Sequence, residues 1–146
     1  MKKLFIAALM AVAVGSSAFA LDVNKISFKI KNSFEAQFAG AENVTWSLRE
    51  TYTKASFTLA EESVEAFFAA DGEIIGYSRK VDFKRLPLNA VQKIKKGYAA
   101  YIVKESIEFD QDGEKSYYVS LEDGAKKQIL QVSLYGNVTV HSGLRK

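Results

Sequence analysis

Between Ser27 and Leu48 the spacing of the large apolar residues changes once, and that change restricts the folds open to the chain. Ile30, Phe34 and Phe38 recur at every fourth position, Gly40 interrupts, and Val44, Trp46 and Leu48 then recur at every second. The first spacing stacks side chains on one face of a helix; the second puts them on one face of a strand. Ser27 is placed to cap the helix and Gly40 to end it in a left-handed conformation. A helix stripe and a strand face joined by so short a link bury their apolar sides against each other. The stretch Phe34 to Trp46 therefore reads as the joint between a helix and the first strand of a sheet.

Alternation continues beyond the joint. Strands are expected at about Tyr52 to Leu59, with Ala55, Phe57 and Leu59 on one side, and at Val64 to Ala70. In the latter Val64, Ala66 and Phe68 face one way while Phe67 and Ala69 face the other, so this strand should be covered on both sides. Glu61-Glu62 reads as a polar turn and Asp71-Gly72 as a two-residue hairpin, with Glu73 to Lys80 returning.

The period then changes a second time. After Leu86-Pro87, where proline suits a first helical turn, Leu88, Val91, Ile94 and Tyr98 form a helical stripe, and Gly97 marks its end. Alternation resumes over Tyr101 to Phe109. Turns at Asp110 to Gly113, Asp123-Gly124 and Gly136-Asn137 bound strands at Lys115 to Leu121, Gln128 to Tyr135 and Val138 to His141. Phe34 and Phe38 match Ile94 and Tyr98 at an offset of 60, and Gly72 matches Gly136 at 64. The expected fold is α+β: a tandem repeat of one helix plus a four-stranded antiparallel meander, about 24–80 and 86–141, with both helices on one face of the sheet. The expected core is Phe34, Phe38, Val44, Trp46, Phe57, Phe68, Ile94 and Tyr98.

Lys2 and Lys3 precede an apolar run from Leu4 to Val14 that ends in small residues through Ala18 and Ala20. This is the pattern of a secretory signal peptide, residues 1–20, cleaved after Ala20. The run is shorter than the ~20 residues of a membrane span, so no stable membrane anchor is expected after cleavage. Removing Lys2 and Lys3 from the 20 Lys and Arg leaves 18 against 17 Asp and Glu, a charge near +1. That balance gives no footprint for nucleic acid, and Lys93, Lys95 and Lys96 read as a solvated helix face. There is no cysteine, so an exported domain over residues 21–146 would rest on its packed core alone.

Catalytic chemistry finds little support. His141, the only histidine, sits at a strand end with no nucleophile elbow or cysteine to serve, and reads as an exposed strand-end residue. Asp110-x-Asp112-Gly113-Glu114 is too short for a calcium loop and reads as a hairpin turn. Glu61-Glu62 and Glu122-Asp123 lie beside turns, without the shelter that splits a pair of carboxyl pKa values. No catalytic residue, metal or cofactor is expected.

Several of these residues also carry a family likeness. Phe34-x3-Phe38-x-Gly40-Ala41-x2-Val44-x-Trp46, Phe67-Phe68-x2-Asp71-Gly72-Glu73, Leu86-Pro87-x6-Ile94-x3-Tyr98, and Ile129-Leu130 ahead of Gly136-Asn137-Val138 together resemble the beta-lactamase-inhibitor-like, PepSY-like domains exported by Gram-negative bacteria. Ala39 departs from the pattern, which has proline in its Phe-Pro-Gly-Ala turn. The resemblance implies tandem helix-plus-sheet repeats, a periplasmic location, and binding of a protein or peptide through the sheet. PepSY domains add restraint of a peptidase. No inhibitory residue maps onto a position here.

Tyrosines of both strand parities leave some phenols to face away from the helices. With neighbouring cations they form the expected binding face: Arg49, Tyr52, Tyr77, Arg79, Tyr101, Lys104 and Tyr118. The functional expectation is a non-enzymatic periplasmic binding module for a protein or peptide. The alternatives are a carrier for a lipid or other small apolar ligand, and a structural or stress-related envelope protein.

Overall fold

The computed structural model describes residues 25–141, so the signal peptide and its cleavage after Ala20 lie outside the described residues. The elements are α1 (Phe28–Gln37), β1 (Glu42–Leu48), β2 (Thr53–Leu59), β3 (Glu62–Phe68), β4 (Ile74–Lys80), a 3-10 turn (Phe83–Arg85), α2 (Leu88–Gly97), β5 (Ile102–Gln111), β6 (Glu114–Asp123), β7 (Lys126–Ser133) and β8 (Val138–Val140). The fold is α+β, with the eight strands in one antiparallel sheet in sequence order. Two compact units divide it. The first holds residues 25–80 with Phe109–Glu114; the second holds Val81–Glu108 and residues 115–141.

In the first unit the Ser27 hydroxyl accepts the Ile30 N–H at 3.3 Å and starts α1. The helix closes with Phe38 N–H donating to Phe34 and Ala41 N–H to Phe38, and Gly40 takes φ +87° to turn the chain. Ile30, Phe34 and Phe38 are then buried against Trp46, Ala55, Phe57, Val64, Ala66 and Phe68. Register explains the fit. Trp46 lies opposite Ala55, Ala55 opposite Ala66, and Ala66 opposite Tyr77, so two alanines run between large rings in one row across the sheet. The space they leave lets the Phe34 ring come within 5.2 Å of Trp46 and 5.0 Å of Phe57, both edge-on. Each such side chain contributes roughly 1.5–3 kcal/mol by leaving water. Val44 is partly buried at the margin of this cluster.

The turns differ from expectation in detail. Leu59 pairs with Glu62, so the β2–β3 turn is Ala60-Glu61, one residue before Glu61-Glu62. Neither residue is glycine, yet both have positive φ, +50° and +66°. The next loop has three residues instead of two: Ala69 N–H donates to Glu73 and Gly72 N–H to Ala69, and only Gly72 takes a positive φ there, +92°. The Asp71 carboxylate accepts the Glu73 N–H at 2.9 Å, which holds the loop without a left-handed aspartate.

The second unit is built on Leu86, Ala90, Val91 and Ile94, packed on Val119, Leu121, Leu130 and Val132. Tyr98 and Tyr101 are partly buried at its edge, their rings 5.6 Å apart. Leu88 corrects the expected stripe, being 72% exposed. It stands two residues before Ala90, about 200° around the helix, so it points away from the face that Ala90 and Ile94 define. Leu86, one turn before Ala90, takes its place.

The bonds that shape the first unit recur in the second. Tyr98 N–H donates to Ile94 and Tyr101 N–H to Tyr98, while Ser133 N–H donates to Asn137 and Gly136 N–H to Ser133. Gly72 packs against Lys29 near the start of α1, and Gly136 against Asn89 near the start of α2.

Candidate functional site

Each unit buries one side of its strands under its own helix, and alternation sends the other residues to the helix-free side. In the first unit these are Lys54, Ser56 and Thr58 on β2, Ser63, Glu65 and Phe67 on β3, and Gly76 and Ser78 on β4. Register lines them up: Lys54 with Phe67 and Gly76, Ser56 with Glu65 and Ser78, Thr58 with Ser63. One end of this side is therefore aromatic and the rest carries hydroxyls.

The aromatic end is a packed floor. Phe67 is fully buried, Phe109 and Tyr52 nearly so; the Tyr52 and Phe67 rings stand 5.7 Å apart, and those of Phe67 and Phe109 6.3 Å. Gly76 makes this possible, because any side chain there would meet the Phe109 ring. Beside the floor Lys54 Nζ lies 3.6 Å from Glu65 Oε1. Burial raises the Tyr52 phenol above its ordinary value; Arg49 pulls it down and Glu65 pushes it up. Beyond that pair, Ser56 and Thr58 are half-buried and Ser63 exposed. These groups can donate and accept hydrogen bonds.

In the second unit Val119 and Leu130 face α2, so Tyr118 and Ile129 face away. Tyr118 is 1% exposed, and its ring meets His141 edge-on at 5.6 Å. The His141 N–H donates to Ile129 O and extends the pairing of β8 with β7. This corrects the expectation of an exposed His141: the residue is half-buried, and its Nε2 is enclosed with no hydrogen-bond partner among the described residues. Burial lowers its pKa, and burial raises that of Tyr118, against the lowering effect of the Ser116 hydroxyl.

Within the first unit the expected binding residues do not share one face. Tyr52 and Tyr118 are on helix-free sides but are buried, so the phenols expected at a wet surface are packing groups. Tyr77 and Arg79 lie on the α1 side, opposite Ala66 and Val64. Tyr77 sets its ring edge on Phe38 and donates its hydroxyl to Asp110 Oδ2 at 3.2 Å; Arg79 pairs with Glu62 at 3.0 Å. The sequence of β4 does not fix its facing, because Ile74, Ile75 and Tyr77 occupy both parities; register against β3 does. Arg49 is exposed beside the β1–β2 turn, and its N–H donates to Tyr52 O. Tyr101 packs on Tyr98, and Lys104 is exposed, 3.8 Å from Glu122. The hydroxyl row and Gly76 were passed over in the sequence. Their signals were the alternation of Ser56 and Thr58 with apolar residues, and an isolated glycine inside a strand pattern.

Among the described residues no cluster of three or more His, Asp or Glu could hold a metal ion.

No family model matches the chain, and no curated protein does. Solved structures do. A BLIP-like protein from Bacteroides fragilis NCTC 9343 superposes with a TM-score of 0.67 at 19% identity, over 77% of this chain and 82% of that one. The fold is that of the BLIP-like and DUF2874 proteins. A DUF2874 family protein from Bacteroides ovatus ATCC 8483 gives 0.67 at 16% identity, over 77% and 86% of the two chains. A protein of Bacteroides eggerthii DSM 20697, whose given name places it in the periplasm, gives 0.70 at 13% identity, over 82% and 86%. At such identities it is the BLIP-like fold that is shared, including the frame that presents the helix-free sides described above.

Proposed function

We propose that the chain is an exported, non-enzymatic binding module of the periplasm that engages a protein or peptide through the helix-free side of its sheet. The observation that carries this reading is the row Lys54, Ser56, Thr58, Ser63 and Glu65: short hydroxyls and one ion pair, half-buried or exposed, set beside an immobile aromatic floor. Short side chains let a partner approach the sheet closely, and a rigid floor adds no ordering cost on binding. The BLIP-like fold and the periplasmic name of one structural neighbour support the location and the class of activity. The PepSY likeness of the sequence suggests a peptidase or another envelope enzyme as the restrained partner.

The same reading takes the two units as copies of one helix-plus-four-strand ancestor. Its support is the recurrence of the helix-closing bonds at Phe38 and Tyr98 and of the hairpin bonds at Gly72 and Gly136.

Crosslinking in living cells, followed by identification of the captured protein, tests the proposal. Ser56→Arg places a long charged side chain on the row and should abolish capture, while Arg79→Gln, on the α1 side, should leave it intact. Equal capture by both variants would place the interaction elsewhere.

A further inference from the structure

Residues 83–97 carry Lys84, Arg85, Lys93, Lys95 and Lys96 and no acidic residue. All five are exposed. None has a carboxylate partner among the described residues, whereas Lys104 and Lys127 both pair with Glu122, and Lys115 with Glu108. Asp82, the nearest acid in sequence, accepts the Lys84 N–H at 2.9 Å and caps the 3-10 turn. Like charges close together repel each other, and only Lys95 and Lys96, in the last turn of α2, are offset by the helix dipole. The five cations are suited to a negatively charged surface outside the molecule.

Beside the start of α2 stand three large apolar side chains: Leu88, 72% exposed, Leu134, 51%, and Tyr135, 84%. Leu134 and Tyr135 are the two central residues of the β7–β8 turn, a place where polar residues are usual; the corresponding positions of the first unit hold Ala70 and Asp71. The turn is firmly held. Asn89 Nδ2 donates to Tyr135 O at 2.9 Å, and the Ser133 hydroxyl accepts from the N–H groups of Tyr135 and Asn137, each at 3.2 Å. The side chains are therefore presented outward on a rigid backbone. From Leu88 to Lys96 is about 12 Å along the helix, so cations and apolar tips share one small area.

We propose that this surface, the α2 helix with the β7–β8 turn, docks the protein reversibly on a lipid membrane bearing anionic headgroups. The cations would meet lipid phosphates, Leu88 and Leu134 would enter the acyl boundary, and Tyr135 would lie at the headgroup level with its hydroxyl in water. An acidic protein would satisfy the cations equally, but three protruding apolar tips call for a surface that yields to them, which a lipid interface does without a matching pocket. Docking of this kind needs no membrane-spanning segment, and among the described residues no helix is long and apolar enough to be one.

Sedimentation of the exported protein with vesicles tests the proposal. Binding is expected to phosphatidylcholine vesicles that contain phosphatidylglycerol, not to phosphatidylcholine alone, and should weaken as salt is raised. Replacing Lys93, Lys95 and Lys96 together with Gln should lower partitioning about fivefold per charge, roughly 100-fold in all. Tyr135→Ser should lower it several-fold with an unchanged circular dichroism spectrum, while Lys127→Gln, which removes a paired lysine, should not lower it. No binding, or equal binding to both vesicle types, would overturn the proposal. So would Tyr135→Ser binding at full strength while soluble polyglutamate competes, since that would identify an acidic protein as the partner.

Discussion

Gly76 lies directly beneath Phe109: a Cβ built on the glycine would stand 2.7 Å from Phe109 Cζ and 2.7 Å from the Asp110 carbonyl oxygen. The second contact is backbone and cannot swing aside. Gly76→Ala should therefore destabilise the protein by about 1–3 kcal/mol through overpacking, read as a lower urea midpoint. A variant as stable as wild type would mean that Phe109 is not seated on the strand.

Trp46 is held between Phe34 and Phe68 and is 7% exposed. Trp46→Ala should cost roughly 3–5 kcal/mol as a core cavity. A loss below ~1 kcal/mol, the range of ordinary surface changes, would contradict its burial. As the single tryptophan of the chain, it also offers a fluorescence probe of the same core.

The Ala60-Glu61 turn keeps two non-glycine residues at positive φ, which costs such residues roughly 1–2 kcal/mol each. Asn-Gly, the pair that a two-residue turn of this twist prefers, should raise stability by about 1 kcal/mol in place of Ala60-Glu61. Calorimetry would show a higher melting temperature; an unchanged one would mean that the strain is relieved elsewhere.

His141 has a pKa lowered from 6.5 by burial beside Tyr118. The unfolded chain therefore takes up a proton at a pH where the folded chain does not, so stability is full above 6.5 and declines as pH falls below it, until the folded form also protonates. Urea midpoints measured in steps below pH 6.5 should decline. In His141→Phe, that part of the decline should vanish.

Tyr52 and Tyr118 have phenols raised above 10 by burial. Their contribution to stability is present below pH 10 and lost as pH rises through the folded values. Alkaline absorbance titration should show both phenols ionising late, and Tyr52→Phe and Tyr118→Phe should each remove one late-ionising group.

The sequence by itself determined the elements and most of the core. Both changes of period are read from residue spacing, a local property, and the end of α1 and the glycine-bearing turns follow from residues acting on their own backbone, whereas the Ala60-Glu61 turn has no such signal. Phe34, Phe38, Trp46, Phe57, Phe68 and Ile94 are all buried where that spacing put them. What only the tertiary structure decided was the outward surface. Tyr77 could face either way until its strand found its register against Ala66, and Tyr52 and Tyr118 read as wet phenols until Phe67 of β3 and His141 after β8 brought rings against them. Leu88 seemed part of a stripe until Leu86 supplied the missing turn. Side-chain exposure depends on partners distant in the chain, and spacing along one strand or helix carries no information about them.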